Sequence, residues 1–234
     1  MRWQEVNMAN QLLKRRGKYA FIASLPPGTR VLDVGCGNDS PFRFKRQRPD
    51  CRYIGIDIDD YRHTVHPEAW ADTYIRTDSQ HFVAEIQQFF GQLDAVISSH
   101  NLEHCDAPAE VLDAMVASLR PGGRLYLAFP TEASMRFPHR RGGLNFCDDS
   151  THKSVPDWRN TMRRLTQLGV QIDFSTQRYH PLLLTAIGFL LEPYCALLRR
   201  NGIAGSTWAL YGFESVIWAS RVSTDMPTSG HEGE

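Results

Sequence analysis

The chain has 234 residues, enough for one generous domain or two cramped ones. Its 26 lysines and arginines balance 26 aspartates and glutamates. That excludes both the basic excess of a nucleic-acid binder and the acidic bias of a disordered tail protein, so no nucleic-acid partner is expected. A hydrophobic share of 42% can fill one sizeable core. The five cysteines (36, 51, 105, 147 and 195) are odd in number and scattered, with no pair at C-x-x-C spacing. They argue against a disulfide scaffold or a thiolate zinc site and point to a reducing, cytoplasmic setting. Met1-Arg2-Trp3-Gln4-Glu5 is charged and no apolar run comes after it, which is not the pattern of a signal peptide.

In chain order, residues 1–29 read as a helical lead-in, broken from the first strand by Pro26-Pro27-Gly28. Short β-rich apolar runs then predict strands at Arg30–Val34, Tyr53–Asp57, Thr73–Thr77, Leu93–Ser98 and Arg124–Phe129. A helix is predicted between the last two. Asp106 is its expected cap, Pro108 lies in its first turn, Val111, Met115 and Leu119 form its stripe, and Pro121-Gly122-Gly123 stops it. Strands alternating with helices imply βαβ units, hence an α/β fold with a parallel sheet covered on both faces, a three-layer αβα sandwich.

The rhythm changes at Pro130. Residues 130–152 are a long irregular segment of the kind that carries function inside a compact domain. The next element is a helix, started by Ser154-Val155-Pro156-Asp157, with Trp158, Met162 and Leu165 as its apolar stripe and Gly169 at its end. Val170–Arg178 and Trp208–Ser220 read as two further strands, bringing the count to seven. Between them, residues 181–207 form a leucine-rich helical insertion that contains Glu192 and Pro193 and is too short and interrupted to span a bilayer. Packing of Leu182–Leu198 into the core is its expected fate, with rest on a membrane surface the alternative, given Arg199-Arg200 at its edge. The whole reads as one domain over 1–223 with a flexible tail at 224–234.

One motif decides the functional reading. Val31-Leu-Asp-Val-Gly-Cys-Gly-Asn-Asp-Ser40 ends the first strand in a glycine loop, at the strand terminus where open α/β sheets bind nucleotides. The second strand ends in Asp57, 57 − 37 = 20 residues beyond the loop, where a carboxylate can accept both ribose hydroxyls. An adenosine-containing cofactor is therefore indicated. The dinucleotide fingerprint needs glycine at position 40, which is Ser40 followed by Pro41. Asp33, two residues before Gly35, would repel a pyrophosphate and suits a cationic amino group, so S-adenosylmethionine is favoured over NAD.

Val31–Gly37, Ile54–Asp57, Leu93–His104 and Leu119–Phe129 together resemble a class I S-adenosylmethionine-dependent methyltransferase of the type 11 group, over roughly residues 30–130. The resemblance implies a seven-stranded, mostly parallel Rossmann-like sheet with an antiparallel final strand. It also implies that Asp33, Gly35, Cys36 and Gly37 line the methionine portion of S-adenosyl-L-methionine. Asp57 would hold the ribose with Ile58 beside the adenine, and Asp78 would bond the adenine amino group with Ser79 adjacent. Asp39 replaces the family's third loop glycine.

Candidate catalytic groups come from the ends of strands four and five. Strand four runs into Ser99-His100-Asn101-Leu102-Glu103-His104, where Ser99 would touch cofactor, His100 is a catalytic candidate that would touch cofactor or substrate, and His104 either reacts or joins Glu103 in a polar helix start. The string H-x-x-E-H also matches an inverted zinc-peptidase pattern, but it follows a buried strand instead of lying on a helix. Quinone-biosynthesis O-methyltransferases carry a metal-binding E-x-x-E-H at the similar place; His100 stands at the first acid here, and no metal ligand is assigned. In the 130–152 segment, Arg136, His139, Arg140 and Arg141 could clamp an oxyanion. Asp148-Asp149-x-Thr151-His152 resembles a segment of methyltransferases of cell-surface polysaccharide assembly, which would put His152 above the methyl group with Asp149 orienting it. The expectation is O-methylation of a small or glycan-like substrate, phosphate-bearing acceptors included. A catalytically degenerate cofactor-binding scaffold and an NAD-dependent dehydrogenase are the alternatives.

Overall fold

A computed structural model describes residues 14–59 and 63–222. Seven strands form one sheet: β1 (Arg30–Val34), β2 (Arg52–Asp57), β3 (Thr73–Arg76), β4 (Leu93–Ser99), β5 (Leu119–Pro130), β6 (Val170–Thr176) and β7 (Glu214–Arg221). Their order is β3-β2-β1-β4-β5-β7-β6. β1 to β5 pair in parallel, and β7 runs antiparallel to both β5 and β6. The strand order reverses next to β1, so the carboxyl ends of β1 and β4 open a crevice, the usual place for a ligand in such sheets.

Alternation along the central strands sorts side chains onto two faces. Leu32, Val34, Ile54, Val96, Leu125, Leu127 and Ile217 meet α3 (Phe82–Gln87), α4 (Pro108–Ser118) and α5 (Trp158–Gln167) through Ile86, Met115 and Leu165. Val31, Tyr53, Ala95, Ile97, Tyr126, Val216 and Trp218 meet α1 (Lys18–Ala23) and α2 (Ser40–Gln47) through Phe21, Ile22 and Phe44. Each side is a closed apolar layer; a buried side chain of this size contributes roughly 1.5–3 kcal/mol.

Three local expectations are corrected. Asp106 does not cap α4, whose N-cap is Ala107 without a side-chain bond; Asp106 pairs with Lys153 at 2.6 Å instead. Pro121-Gly122-Gly123 lies inside β5, since α4 already stops at Ser118 and the strand resumes pairing at Leu119, opposite Leu93. Residues 208–220 are not one strand. Ser206–Tyr211 forms a short helix, α7, ended by Gly212 in the left-handed region (φ +60°), and β7 begins only at Glu214. The aromatic and apolar run Trp208–Tyr211 has strand propensity, but packing against α6 (Leu182–Leu197) overrides it. Of the expected lead-in over 1–29, the described residues contain α1, and Asp157 caps α5 by accepting from the Asn160 amide at 2.7 Å. The N-terminal pentapeptide and the 224–234 tail lie outside the described residues.

Candidate active site

A cavity of about 930 Å³ opens at the carboxyl ends of β1, β2 and β4, within the size range of ligand pockets. One wall is the glycine loop. Gly35 has φ +75°, and a Cβ there would sit 2.6 Å from the Asn101 side chain, so no larger residue fits between β1 and the segment after β4. Asn38 and Asp39 also take positive φ, a conformation that these side chains tolerate. Asp39 thus keeps the backbone path of the missing glycine. It also ties the loop outward, accepting from the Thr64 amide and hydroxyl, both at 2.6 Å, which holds its carboxyl below the usual range although burial opposes this.

Asp57 ends β2 and lines the cavity while nearly buried. Its Oδ1 accepts from the amides of Ile58 (2.8 Å) and Asp59 (3.4 Å), and among the described residues Oδ2 has no such partner. Burial raises the pKa of this carboxyl against those two bonds. A desolvated acid with an unengaged oxygen facing a cavity suits a pair of hydroxyl donors. Half-exposed Ile58 stands beside it in the lining. Asp78 and Ser79 do not line the cavity; Asp78 accepts from the amides of Gln80 and His81, both at 2.9 Å, and from the His81 ring.

Asp33 does not reach the cavity directly. It lies on the Val31 face of β1, fully buried, and accepts from Ser40 Oγ (2.6 Å), Tyr53 Oη (2.8 Å) and Lys18 Nζ (2.9 Å). Lys18 does line the cavity and so stands between Asp33 and its contents. Cys36 is likewise fully buried, its thiol pushed up by burial and by Asp33 and Asp57, and it is not part of the lining, whereas Gly35 and Gly37 are. Sequence reasoning missed Lys18, because the partner of the motif acid comes from α1, outside the motif.

The segment after β4 carries His100 with φ +56°, stacked on Phe213 and tilted against Trp208. Both ring nitrogens are committed: Nδ1 to Glu103 at 3.1 Å and Nε2 to Glu214 at 3.0 Å. Burial alone would lower its pKa, but these two carboxylates outweigh burial and raise it to about 9. Burial likewise opposes the charge on Glu214, yet Lys14 (3.3 Å) and the His100 imidazole bring it down to about 2. His100 lines the cavity as an imidazolium clamped between acids. With both nitrogens donating to carboxylates it has no lone pair with which to take a proton, so its place at the cavity is that of a contact to cofactor or substrate.

The opposite wall includes Ser150, Thr151 and His152, the end of the 130–152 segment. Asp148 organises it, accepting from the amides of Leu144 and Asn145 (both 2.9 Å) and Arg140 (3.1 Å) and from the His139 ring (2.7 Å). Burial would raise this acid; the bonds lower it. Downstream, His152 Nδ1 lies 2.6 Å from the Phe146 carbonyl oxygen, so Nδ1 is the donor, and in the neutral imidazole Nε2 is the nitrogen with the lone pair. The ring stacks on Phe146 and lines the cavity. The orienting acceptor is therefore this carbonyl. Asp149 is occupied by Thr151, through its amide (2.9 Å) and hydroxyl (2.5 Å).

His104 bonds Thr151 through its carbonyl (3.2 Å) and hydroxyl (3.1 Å), and its ring centroid lies 4.8 Å from that of His152. Glu103 is fully buried, and among the described residues its Oε2 has no hydrogen-bond partner. Glu103, His104 and His152 each offer a ligand atom within 4.8 Å of the others, so they could share a divalent ion, a grouping that the sequence reading did not assign. The arginine clamp is not formed. Arg140 is buried in a two-bonded pair with Glu192 (2.5 and 3.2 Å), His139 is held by Asp148, and none of Arg136, His139, Arg140 and Arg141 lines the cavity.

The residues present fit an adenosyl sulfonium ligand: a buried acid, a glycine loop and a lysine along one cavity. The family model for a methyltransferase domain matches residues 7–173. The malonyl-[acyl-carrier protein] O-methyltransferase of Enterobacter lignolyticus is 30% identical over 143 residues, 60% of this chain and 54% of that protein. The ubiquinone biosynthesis O-methyltransferase of Pseudomonas aeruginosa is 30% identical over 103 residues, 43% of this chain and 44% of that one. The chain thus spans about half the length of these curated relatives. Among solved structures, an S-adenosylmethionine dependent methyltransferase from Mesorhizobium loti shares the fold at a TM-score of 0.59 and 17% identity, covering 87% of this chain and 97% of that one. One from Archaeoglobus fulgidus does so at 0.56 and 18%, covering 94% and 95%. With the motif residues, the fold and the family match in agreement, the chain belongs to the methyltransferase domain family, in its class I, S-adenosylmethionine-dependent branch.

Proposed function

We infer that the protein transfers the methyl group of S-adenosyl-L-methionine to an oxygen of a small acceptor, with His152 as general base. The bound cofactor would supply an already activated methyl, leaving the chain to align, desolvate and deprotonate. Asp57 and Ile58 would hold the adenosine, Gly35 and Gly37 would admit the ligand close to the main chain, and Ser99 stands in the same lining. Lys18 would meet the carboxylate of the methionine moiety, its own charge held in place by Asp33. The clamped imidazolium of His100 positions the turn after β4 and takes no proton.

The observation that carries the base assignment is the 2.6 Å bond from His152 Nδ1–H to the Phe146 carbonyl, which in the neutral ring leaves Nε2 as the accepting nitrogen of a residue in the cavity lining. An acceptor hydroxyl brought to that nitrogen can lose its proton as the oxygen attacks. Both curated relatives are named as O-methyltransferases. A hydroxyl acceptor, glycan-like ones included, suits the lining of Trp208, Tyr126, Thr151 and Ser150. A phosphate-bearing acceptor loses its support, because none of Arg136, Arg140 and Arg141 lines the cavity and Arg140 is paired with Glu192. The test is His152→Ala, which is expected to lower kcat about 10²–10⁴-fold while leaving S-adenosylhomocysteine affinity unchanged. Loss of cofactor affinity would reassign His152 to structure.

The Glu103–His104–His152 grouping favours a second reading, in which His152 is a ligand to a divalent ion and not a base. Turnover abolished by a chelator and restored by magnesium or zinc would favour that reading.

A further inference from the structure

The leucine-rich helix α6 does not vanish into the core. Only its inner face, at Leu184, Gly188 and Cys195, is buried, and Gly188 lies so close to α7 that a Cβ would stand 2.3 Å from the Ser206 carbonyl oxygen. The outer face is apolar along its whole length. Leu182, Leu183, Phe189, Leu190, Tyr194 and Leu197 recur at helical spacing and are 55–86% exposed. Monomeric soluble proteins seldom leave a continuous stripe of this kind in water. No charged side chain interrupts it, since Glu192 sits on the flank in its pair with Arg140 and its bond to Tyr211.

Charge is unevenly spread around this stripe. In residues 130–152 and 178–212, the segment tied to α6 through Arg140 and the stretch that carries α6 and α7, arginines number six (136, 140, 141, 178, 199, 200) against four acids (Glu132, Asp148, Asp149, Glu192). The chain as a whole is neutral at 26 against 26. Glu192 is engaged by Arg140, and Asp148 by the His139 ring and three amides, which leaves five arginines against Glu132 and Asp149. Three of them gather at the helix end, because Arg199 and Arg200 follow α6 and Arg141 bridges to Arg200. Arg200 stacks on Tyr194 at 5.2 Å and donates to its hydroxyl at 3.1 Å, joining the apolar stripe to the cationic cluster.

We propose that this face lies on an anionic bilayer surface, with α6 parallel to the membrane, its leucines and Phe189 in the acyl boundary and Arg141, Arg199 and Arg200 on lipid phosphates. The sixteen residues of α6 reach about 24 Å, less than a bilayer core, and among the described residues no helix is long and apolar enough to cross one. Charge complementarity selects this occupant over a second copy. A two-fold pairing of the stripe would bring two arginine clusters together with few carboxylates to offset them. Exposed Ile203 adjoins Ala204, which lines the cavity, so docking would bring the active-site roof to the lipid surface.

The test is sedimentation of the full chain with vesicles of phosphatidylcholine alone or of equimolar phosphatidylcholine and phosphatidylglycerol. Binding is expected to the anionic vesicles, to weaken with added salt and to be at least about tenfold lower without phosphatidylglycerol. Phe189→Glu/Leu197→Glu should abolish it, and Arg199→Gln/Arg200→Gln should remove the preference for anionic lipid. Both variants should still bind S-adenosylhomocysteine, which shows that they fold. Absence of binding by the wild type overturns the proposal, as does undiminished binding by the double glutamate variant. A concentration-dependent dimer that the double glutamate variant dissociates, with no vesicle binding, would assign the stripe to a second copy. None of these outcomes bears on the methyl-transfer reading, which the His152 experiment tests separately.

Discussion

The two walls of the cavity are held by different means. The inner wall, from β1, β2 and the turn after β4, is fixed by the sheet itself: Gly35 is wedged against Asn101 and its amide donates to Ile56 at 2.9 Å. The outer wall, Ser150–Lys153 with Ala204 and Trp208 on the α7 side, lies outside the sheet and is backed by a segment held largely through side chains, chiefly Asp148 to three amides and Arg140 to Glu192. A wall cast by backbone pairing tolerates little change but forms wherever the sheet forms. A wall tied by side chains can differ between relatives while the cofactor site stays the same.

The sharpest way to break the inner wall is Gly35→Ala. Both the positive φ and the 2.6 Å approach to Asn101 forbid a methyl there, so cofactor binding should be lost altogether, as calorimetry with S-adenosylhomocysteine would show. Next comes His100→Leu, which strands two carboxylates beside each other. It should cost roughly 3 kcal/mol in denaturant unfolding at neutral pH.

That cost carries a pH signature. The folded pKa of His100 is raised to about 9 from 6.5, so its contribution is complete below 6.5 and fades as pH climbs through 9. The stability gap between wild type and variant should therefore narrow across this interval. Glu214, lowered from 4.5 to about 2, works in the other direction, its contribution fading only as pH falls through 2. The smallest effect is expected on the outer wall. Arg140→Ala removes the pair with Glu192 and should cost about 2 kcal/mol, with the acceptor KM raised and cofactor affinity kept. Equal loss of both affinities would show that the walls are not independent.

This division also explains what could be read from residues alone. Strand β1 matched its expected bounds, β2 and β4 fell within a residue of theirs, and the acid at Asp57 stands where the motif spacing put it. Local pattern and tertiary structure agree there, because a buried parallel sheet dictates both. Asp33 was expected to line the cavity, and it does not. Strand alternation turns it towards α1, and only Lys18, 15 residues earlier, carries its charge to the cavity. His152 was legible as a histidine above the site, while its orienting partner was not, since a backbone carbonyl leaves no mark in a sequence. The exposed stripe of α6 was read as core for a simple reason: composition reports hydrophobicity, and only packing shows whether a leucine has a neighbour.

The central claim is that the acid closing β2 grips the adenosyl ribose over the glycine loop. Titration calorimetry of wild type and Asp57→Ala with S-adenosylhomocysteine tests it most directly. A clear heat for the wild type and an affinity at least about a hundredfold weaker for the variant, roughly two strong hydrogen bonds to a charged group, is the predicted result. Identical binding by the two proteins, or no heat from either, would contradict it.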